Sequence, residues 1–189
     1  PYPTHAIGPI AQLLGFHRGD RMVRLSSVTG MAAGCDSLLG HANHTLITTE
    51  RGVTILLQFD GTTPRPYSRI QGINGTKAFA QKYPLPLFQD ADGLREGEAA
   101  ENFLRSVADS PAYRLWCEGA ERGVPNAMNY AMDCRLIHCL RRGLPLDIDV
   151  YDAAEWSCLA ELTRLSAQHG GTPVDIPDFL NGEMPPAQR

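Results

Sequence analysis

The sequence predicts an α+β fold: a mostly antiparallel, open-faced sheet with helices packed on one face. After one short helix, strand signals gather in residues 21–83 and helix signals in residues 98–168, an order that suits α+β rather than alternating α/β architecture. The loops between strand candidates are too short for the crossover a parallel pair requires. A chain of 189 residues with 43% hydrophobic content is long enough to bury one core, so a single domain over residues 1–189 is expected.

Residues 4–15 read as the short helix. Thr4 offers a cap, Ile10, Leu13 and Leu14 recur at helical spacing, Pro9 is tolerable only near a first turn, and Gly15 is a stop. From Arg21 to Thr29 and from Thr45 to Asp60, β-branched and apolar residues dominate, and Glu50-Arg51-Gly52 marks a tight turn within the second stretch. Pro64 and Pro66 break the pattern; Tyr67 to Ile73 and Thr76 to Tyr83 read as two further strands around the turn dipeptide Asn74-Gly75. Residues 85–97, rich in Pro, Gly and Asp, read as a loop.

Residues 98–107, 111–122, 126–142 and 149–168 read as helices. On the third, Met128, Ala131, Met132, Leu136, Cys139 and Leu140 share a stripe that Gly143 ends; on the fourth, Val150, Ala153, Ala154, Leu162 and Leu165 share one that Gly170-Gly171 ends.

A net charge of −4 with no run of like charges lacks the basic footprint of a nucleic-acid binder. No stretch approaches the roughly 18 consecutive apolar residues of a membrane-spanning helix, and the first residues lack the order of a signal peptide. No nucleic-acid or membrane partner is expected. The five cysteines are odd in number and scattered, which argues against a disulfide framework. Cys134 and His138 stand four apart on one helix face without two further ligands nearby, so no metal site is expected.

Three segments carry candidate chemistry. In Tyr2-Pro3-Thr4-His5 a phenol and an imidazole stand three apart at a constrained turn, and His is the natural proton acceptor near neutral pH; the competing reading of His5 is a capping or surface residue. Thr63-Pro64-Arg65-Pro66-Tyr67-Ser68-Arg69 is a stiff loop whose guanidiniums and phenol suit a sugar, though local sequence alone favours a Pro-containing edge between strands with solvated arginines. Asp147, Asp149 and Asp152 fit helix capping better than an acid/base pair. His41 and His44 have no acidic or cysteine companion in sequence and read as a solvated loop.

Several segments resemble the NAD-dependent α-N-acetylgalactosaminidases of glycoside hydrolase family 109. They are Tyr2-Pro3-Thr4-His5, Gly8-Pro9, Arg18-Gly19-Asp20-Arg21, Pro64-Arg65-Pro66-Tyr67-Ser68-Arg69-Ile70, Gly75-Thr76-Lys77 and Lys82-Tyr83-Pro84. The likeness continues through Met132-Asp133, Arg135-Leu136-Ile137, Cys139-Leu140-Arg141, the stretch from Gly143 to Asp147, that from Asp149 to Ala154, Pro173-Val174-Asp175 and Pro177-Asp178-Phe179. It spans nearly the whole chain and places it in the wider glucose-fructose oxidoreductase and inositol dehydrogenase superfamily.

The resemblance implies that residues 1–189 are a C-terminal, substrate-binding and oligomerisation domain. The N-terminal Rossmann domain, whose glycine-rich turn would hold most of an NAD or NADP, is absent from this chain, which alone would be inactive. The resemblance also implies that Tyr2, Pro3, Thr4 and His5 lie against the nicotinamide. His5 and Tyr2 would be catalytic, His5 moving the proton when a sugar hydroxyl is oxidised, while Tyr2, Tyr67 and Asn129 contact the sugar. In the family reaction, oxidation at carbon 3 acidifies the neighbouring hydrogen, the glycosidic bond leaves by elimination, and the steps reverse after water adds. A homo-oligomer formed through the sheet face is expected.

One segment departs from the family: Pro125-Asn126-Ala127-Met128-Asn129 stands where the family carries His-Gly-Gly-Met-Asp. The family histidine is thus Pro125 here and the acid is Asn129. The residues between Met31 and His44 are also fewer than in the family. Three functions compete: a sugar or cyclitol oxidoreductase transferring hydride at a sugar hydroxyl, a glycosidase that recycles its NAD, and a non-catalytic binding or assembly module. Pro125 and Asn129 tilt the expectation toward net oxidation.

Overall fold

The computed structural model describes residues 3–30, 40–107 and 110–182. The chain divides into two compact units, one formed by residues 1–65 and 148–189, the other by residues 66–147. Its class is the α+β predicted, and every ladder between named strands is antiparallel.

In the first unit, helix α1 (Thr4–Leu14) leads to strands β1 (Met22–Gly30), β2 (Ala42–Thr49) and β3 (Thr54–Asp60), and the chain later adds helix α5 (Val150–Gln168) and strand β8 (Val174–Asp175). The sheet order is β3-β2-β1-β8. The β2–β3 turn lies where Glu50-Arg51-Gly52 predicts it, with Gly52 at φ 82°, a left-handed backbone that glycine adopts without steric cost. Inward side chains Met22, Leu25 and Ile47 meet Ile7, Ala11 and Phe16 from α1 and its following loop, and Trp156 and Leu159 from α5. Gly8 lets α1 lie close on α5, since a Cβ there would stand 3.1 Å from the Trp156 ring. Gly15 ends α1 at φ 68°, its N–H reaching the carbonyls of Ala11 and Gln12. Thr4 is not the cap: Pro3 holds that position and forms no side-chain cap bond.

The inner face of this sheet is partly polar. Asn43 Nδ2 donates to Ser27 Oγ at 2.8 Å, Thr45 Oγ1 lies 2.9 Å from the same oxygen, and Ser166 Oγ accepts from Ser27 N–H at 2.8 Å while donating to the Thr172 carbonyl at 2.7 Å. Helix α5 buries Asp152, Glu155, Thr163 and Ser166 along with Trp156 and Leu159. The expected apolar stripe is therefore not the buried one: Val150 is exposed and Leu162 only lines the rim of the core. Glu155 and Ser166 go inside because β1 supplies N–H donors for them, from Met22 and Ser27.

In the second unit, strands β4 (Gly72–Asn74), β5 (Phe79–Gln81), β6 (Leu87–Asp90) and β7 (Gly93–Glu96) form a four-stranded meander followed by helices α2 (Gly97–Val107), α3 (Pro111–Glu121) and α4 (Ala127–Arg142). Two sheets replace the single one expected. Of the strands expected over 67–73 and 76–83, only Gly72 and Ile73 of the first and Phe79 to Gln81 of the second are paired, and residues 85–97, expected as a loop, form the β6–β7 hairpin. The Asp90–Gly93 turn closes it, with Gly93 at φ 120° and Arg95 packed over Phe103 at 4.4 Å while pairing with Asp90 at 3.0 Å. Asn126 and Asp149 cap α4 and α5, and Gly143 ends α4 as predicted. On α4 only Ala131 and Cys139 of the expected stripe are buried, whereas Met128 and Leu140 are 68% and 66% exposed. Helices α3 and α4 meet at Gly119, where a Cβ would fall 2.9 Å from the Tyr130 ring.

Ser166→Ala removes both an acceptor and a donor from the sealed side of β1. A loss of about 1–3 kcal/mol is expected, the cost of stranding buried main-chain groups, measured by urea unfolding against the wild-type chain.

Candidate functional site

Pro3, Thr4 and His5 share the first turn of α1, and His5 is exposed there. Tyr2 lies outside the described residues. Beside this turn is a small cavity of about 50 Å³, with Pro3, Ala6, Leu57, Phe59 and Ala160 in its wall. Pro9 has no N–H and so cannot make the helical bond to the His5 carbonyl four residues back.

Tyr67 and Asn129 belong to the other unit. Tyr67 is 69% exposed in the segment ahead of β4. Its ring stands edge-on to Tyr83 with centroids 6.5 Å apart, and the Arg69 guanidinium lies 5.6 Å from its centre. Asn129 is exposed in the first turn of α4, and its N–H donates to Asn126 Oδ1 at 3.1 Å. The structure thus gathers Pro3, Thr4 and His5 on one helical turn, and presents Tyr67 and Asn129 on a loop and a helix end of the second unit.

A cluster not singled out from the sequence lies at the opposite end of α1. His17 and Glu155 are 2% and 1% exposed, with Nε2 to Oε2 at 3.2 Å, and Arg18 stands 3.5 Å from the buried Asp152. Asp20 accepts the N–H groups of Arg21 and Arg51. His17 also borders a cavity of about 330 Å³ shared with Asp20, Arg21, Glu50 and Asp178. Burial alone would lower the His17 pKa, but the contact with Glu155 and the nearby charges of Asp152 and Asp149 hold it above the ordinary imidazole value. Asp178 is held below the usual carboxylate range by the N–H groups of Leu180 and Gly182, helped by Arg21 and His17. The only sequence sign of the cluster is Arg18-Gly19-Asp20-Arg21, whose partners on α5 lie more than a hundred residues away.

Asp149 and Asp152 cap α5 reciprocally: Asp149 Oδ1 accepts from the N–H groups of Tyr151 and Asp152, and Asp152 Oδ2 from that of Asp149. Asp147 pairs with Arg135 at 2.7 Å. Cys158 is pushed up to about 11, chiefly by burial and then by the Glu155 charge, so its thiol is protonated at neutral pH. Among the described residues no group of three or more His, Cys, Asp or Glu is placed to hold a metal ion, and no helix is long and apolar enough to cross a membrane.

The profile of the glycosyl hydrolase 109 C-terminal domain matches residues 37–185. The chain belongs to glycosyl hydrolase family 109. It is 48% identical over 202 residues to an α-N-acetylgalactosaminidase of Bacteroides fragilis, an alignment that covers 96% of this chain and 48% of that protein. A family 109 protein of Porphyromonas gingivalis is 41% identical over 211 residues, covering 96% of this chain and 45% of its own length. The chain spans about half the length of these curated relatives. Its fold matches the crystal structure of an oxidoreductase domain protein from Kribbella flavida, with a TM-score of 0.58 at 16% identity, covering 89% of this chain and 48% of that one. An inositol dehydrogenase homolog from Azotobacter vinelandii, crystallised with NAD+, matches with a TM-score of 0.57 at 17% identity, over 92% of this chain and 47% of that one.

Asp149→Ala removes the α5 cap. A loss of roughly 0.5–2 kcal/mol in thermal unfolding is expected, with Asp149→Ser restoring most of it, because the side-chain oxygen serves the helix N–H groups and not a substrate.

Proposed function

We propose that this chain is the substrate-binding and assembly half of an NAD-dependent sugar enzyme in which hydride transfer at a sugar hydroxyl is the key step. Family membership with 48% identity to a named α-N-acetylgalactosaminidase carries this reading and favours glycoside cleavage as the net outcome. The second reading, net oxidation of a sugar or cyclitol, is favoured by Pro125 and Asn129 in place of the family's histidine and acid.

All ladders between named strands are antiparallel, so among the described residues there is no parallel strand–helix–strand unit of the kind that cradles a dinucleotide pyrophosphate. The residues Pro3, Thr4 and His5 suit one wall of such a site. When bound, NAD would supply hydride acceptance and return. His5, exposed on the first turn of α1, would take the proton from the hydroxyl being oxidised and return it on reduction, with Tyr2 assisting. Tyr67 and Asn129 would contact the sugar: the Tyr67 ring offers a stacking surface and a phenol donor, and Asn129 an amide suited to hydroxyls.

In the protein at the length of its relatives, His5→Ala should lower kcat by about a hundred- to ten-thousandfold with NAD affinity unchanged, as removal of a general base does. Tyr67→Phe should raise KM by the equivalent of about 0.5–1.5 kcal/mol. An α-N-acetylgalactosaminide assay read for aglycone and NADH together separates the outcomes, since cleavage releases aglycone without net NADH and oxidation accumulates NADH alone. Near-normal turnover by His5→Ala refutes the assigned base.

We also propose a homo-oligomer through the outer face of the first sheet. Val28, Leu46 and Leu56 are exposed there, and Leu46 and Leu56 are directly paired across β2 and β3. Light scattering should find a dimer or larger, and Leu46→Glu with Leu56→Glu should shift it to monomer; a wild-type monomer at high concentration rules the interface out.

A further inference from the structure

We propose that His17 is a positioning residue: its ring, sealed against Glu155 of α5, clamps the C-terminal end of α1 and thereby fixes the helix that presents His5 at its other end. The importance of His5 rests on the function proposed above; the clamp itself does not. Helix α1 is held to α5 at two places. Midway, Gly8 lies against Trp156. Just past the C-terminal end, the His17–Glu155 contact at 3.2 Å and the Arg18–Asp152 contact at 3.5 Å tie the loop to the first turns of α5.

Glu155 divides its two oxygens. Its Oε1 accepts the Met22 N–H at 3.1 Å, while Oε2 faces His17 but forms no aligned hydrogen bond. His17 Nδ1 is also buried without a hydrogen-bond partner. Two polar groups are therefore sealed together in a contact that is weak while the ring is neutral and strong once it is charged. The backbone adds a second sign of constraint, because His17 sits at φ 59°, in the left-handed region that His occupies at a cost.

The charged groups facing the ring come from every neighbouring element. Glu155, Asp152 and Asp149 lie on α5 and its cap, Asp178 on the segment after β8, and Asp20, Arg21 and Glu50 border the same cavity. Carboxylates outnumber the arginines Arg18 and Arg21, in keeping with a raised pKa. A raised folded-state pKa means that the contribution to stability is fully present below about pH 6.5 and is lost as pH climbs through the folded-state value.

His17→Asn is the decisive variant, because Asn accepts the left-handed backbone and cannot titrate; Glu155→Gln keeps the acceptor for Met22 and removes the charge. Both are compared with the wild-type chain by thermal unfolding between about pH 5.5 and 9, and by NMR titration of the histidine rings. The His17 midpoint should lie above 6.5. The wild-type advantage in Tm should be about 2–4 °C or more at the acid end and should close above that midpoint for both variants. The His5 ring signal should show a second inflection at the His17 midpoint, absent in His17→Asn. An advantage independent of pH, a midpoint at or below 6.5, or a His5 signal blind to His17 would each overturn the clamp.

Discussion

Strand β1 is an interior strand with an incomplete neighbour, and the arrangement of the first unit follows from that shortfall. Strand β8 is two residues long and pairs only with Arg24 and Leu25. On either side, the N–H groups of Met22 and Ser27 would be buried without partners, a cost no core can carry lightly. Helix α5 meets it with side chains: Glu155 takes the first and Ser166 the second. The helix is thus registered against the strand at two points eleven residues apart in α5, and the polar inner face of the helix follows from this.

This explains which features were legible in the sequence. Local chemistry was readable: Asp149 as a cap, Gly15 and Gly143 as stops, Gly52 in the β2–β3 turn. Each depends on residues within one turn. Apolar periodicity failed on α5 because Glu155 and Ser166 find their partners 133 and 139 residues away, and no window along the chain registers such a distance. It failed on α4 for the opposite reason, since Met128, Met132 and Leu140 are on the predicted stripe yet exposed. The short strands of the second sheet pair over three or four residues each, too few to leave an alternation pattern.

The candidate site was legible only as a motif. Local sequence gave His5 no more weight than any surface histidine, and the exposed first turn of α1 agrees with either role. Its interest comes from family membership and from how firmly α1 is seated. The small cavity next to Pro3 and Ala6 and the close approach of Gly8 to Trp156 show one face of the helix pressed on the core while His5 faces outward. A proton-transfer group benefits from such a seat, since its placement to within a fraction of an ångström governs the rate.

The buried hydroxyl and amide groups at the centre of the first sheet carry a further meaning. Ser27 stands directly across from Thr45, and Asn43 reaches diagonally to join them. In β2 these polar residues alternate with His44, Leu46 and Thr48 on the outer face. The two faces of β2 are thus nearly equal in hydrophobicity, so apolar burial alone would discriminate poorly between the native alignment and one slipped by a single residue. A slipped hairpin would turn Leu46 inward at little cost, but Ser27 would lose Thr45 and Asn43 together. The triad therefore acts as a checksum on strand alignment, rejecting an error that the oily residues would tolerate.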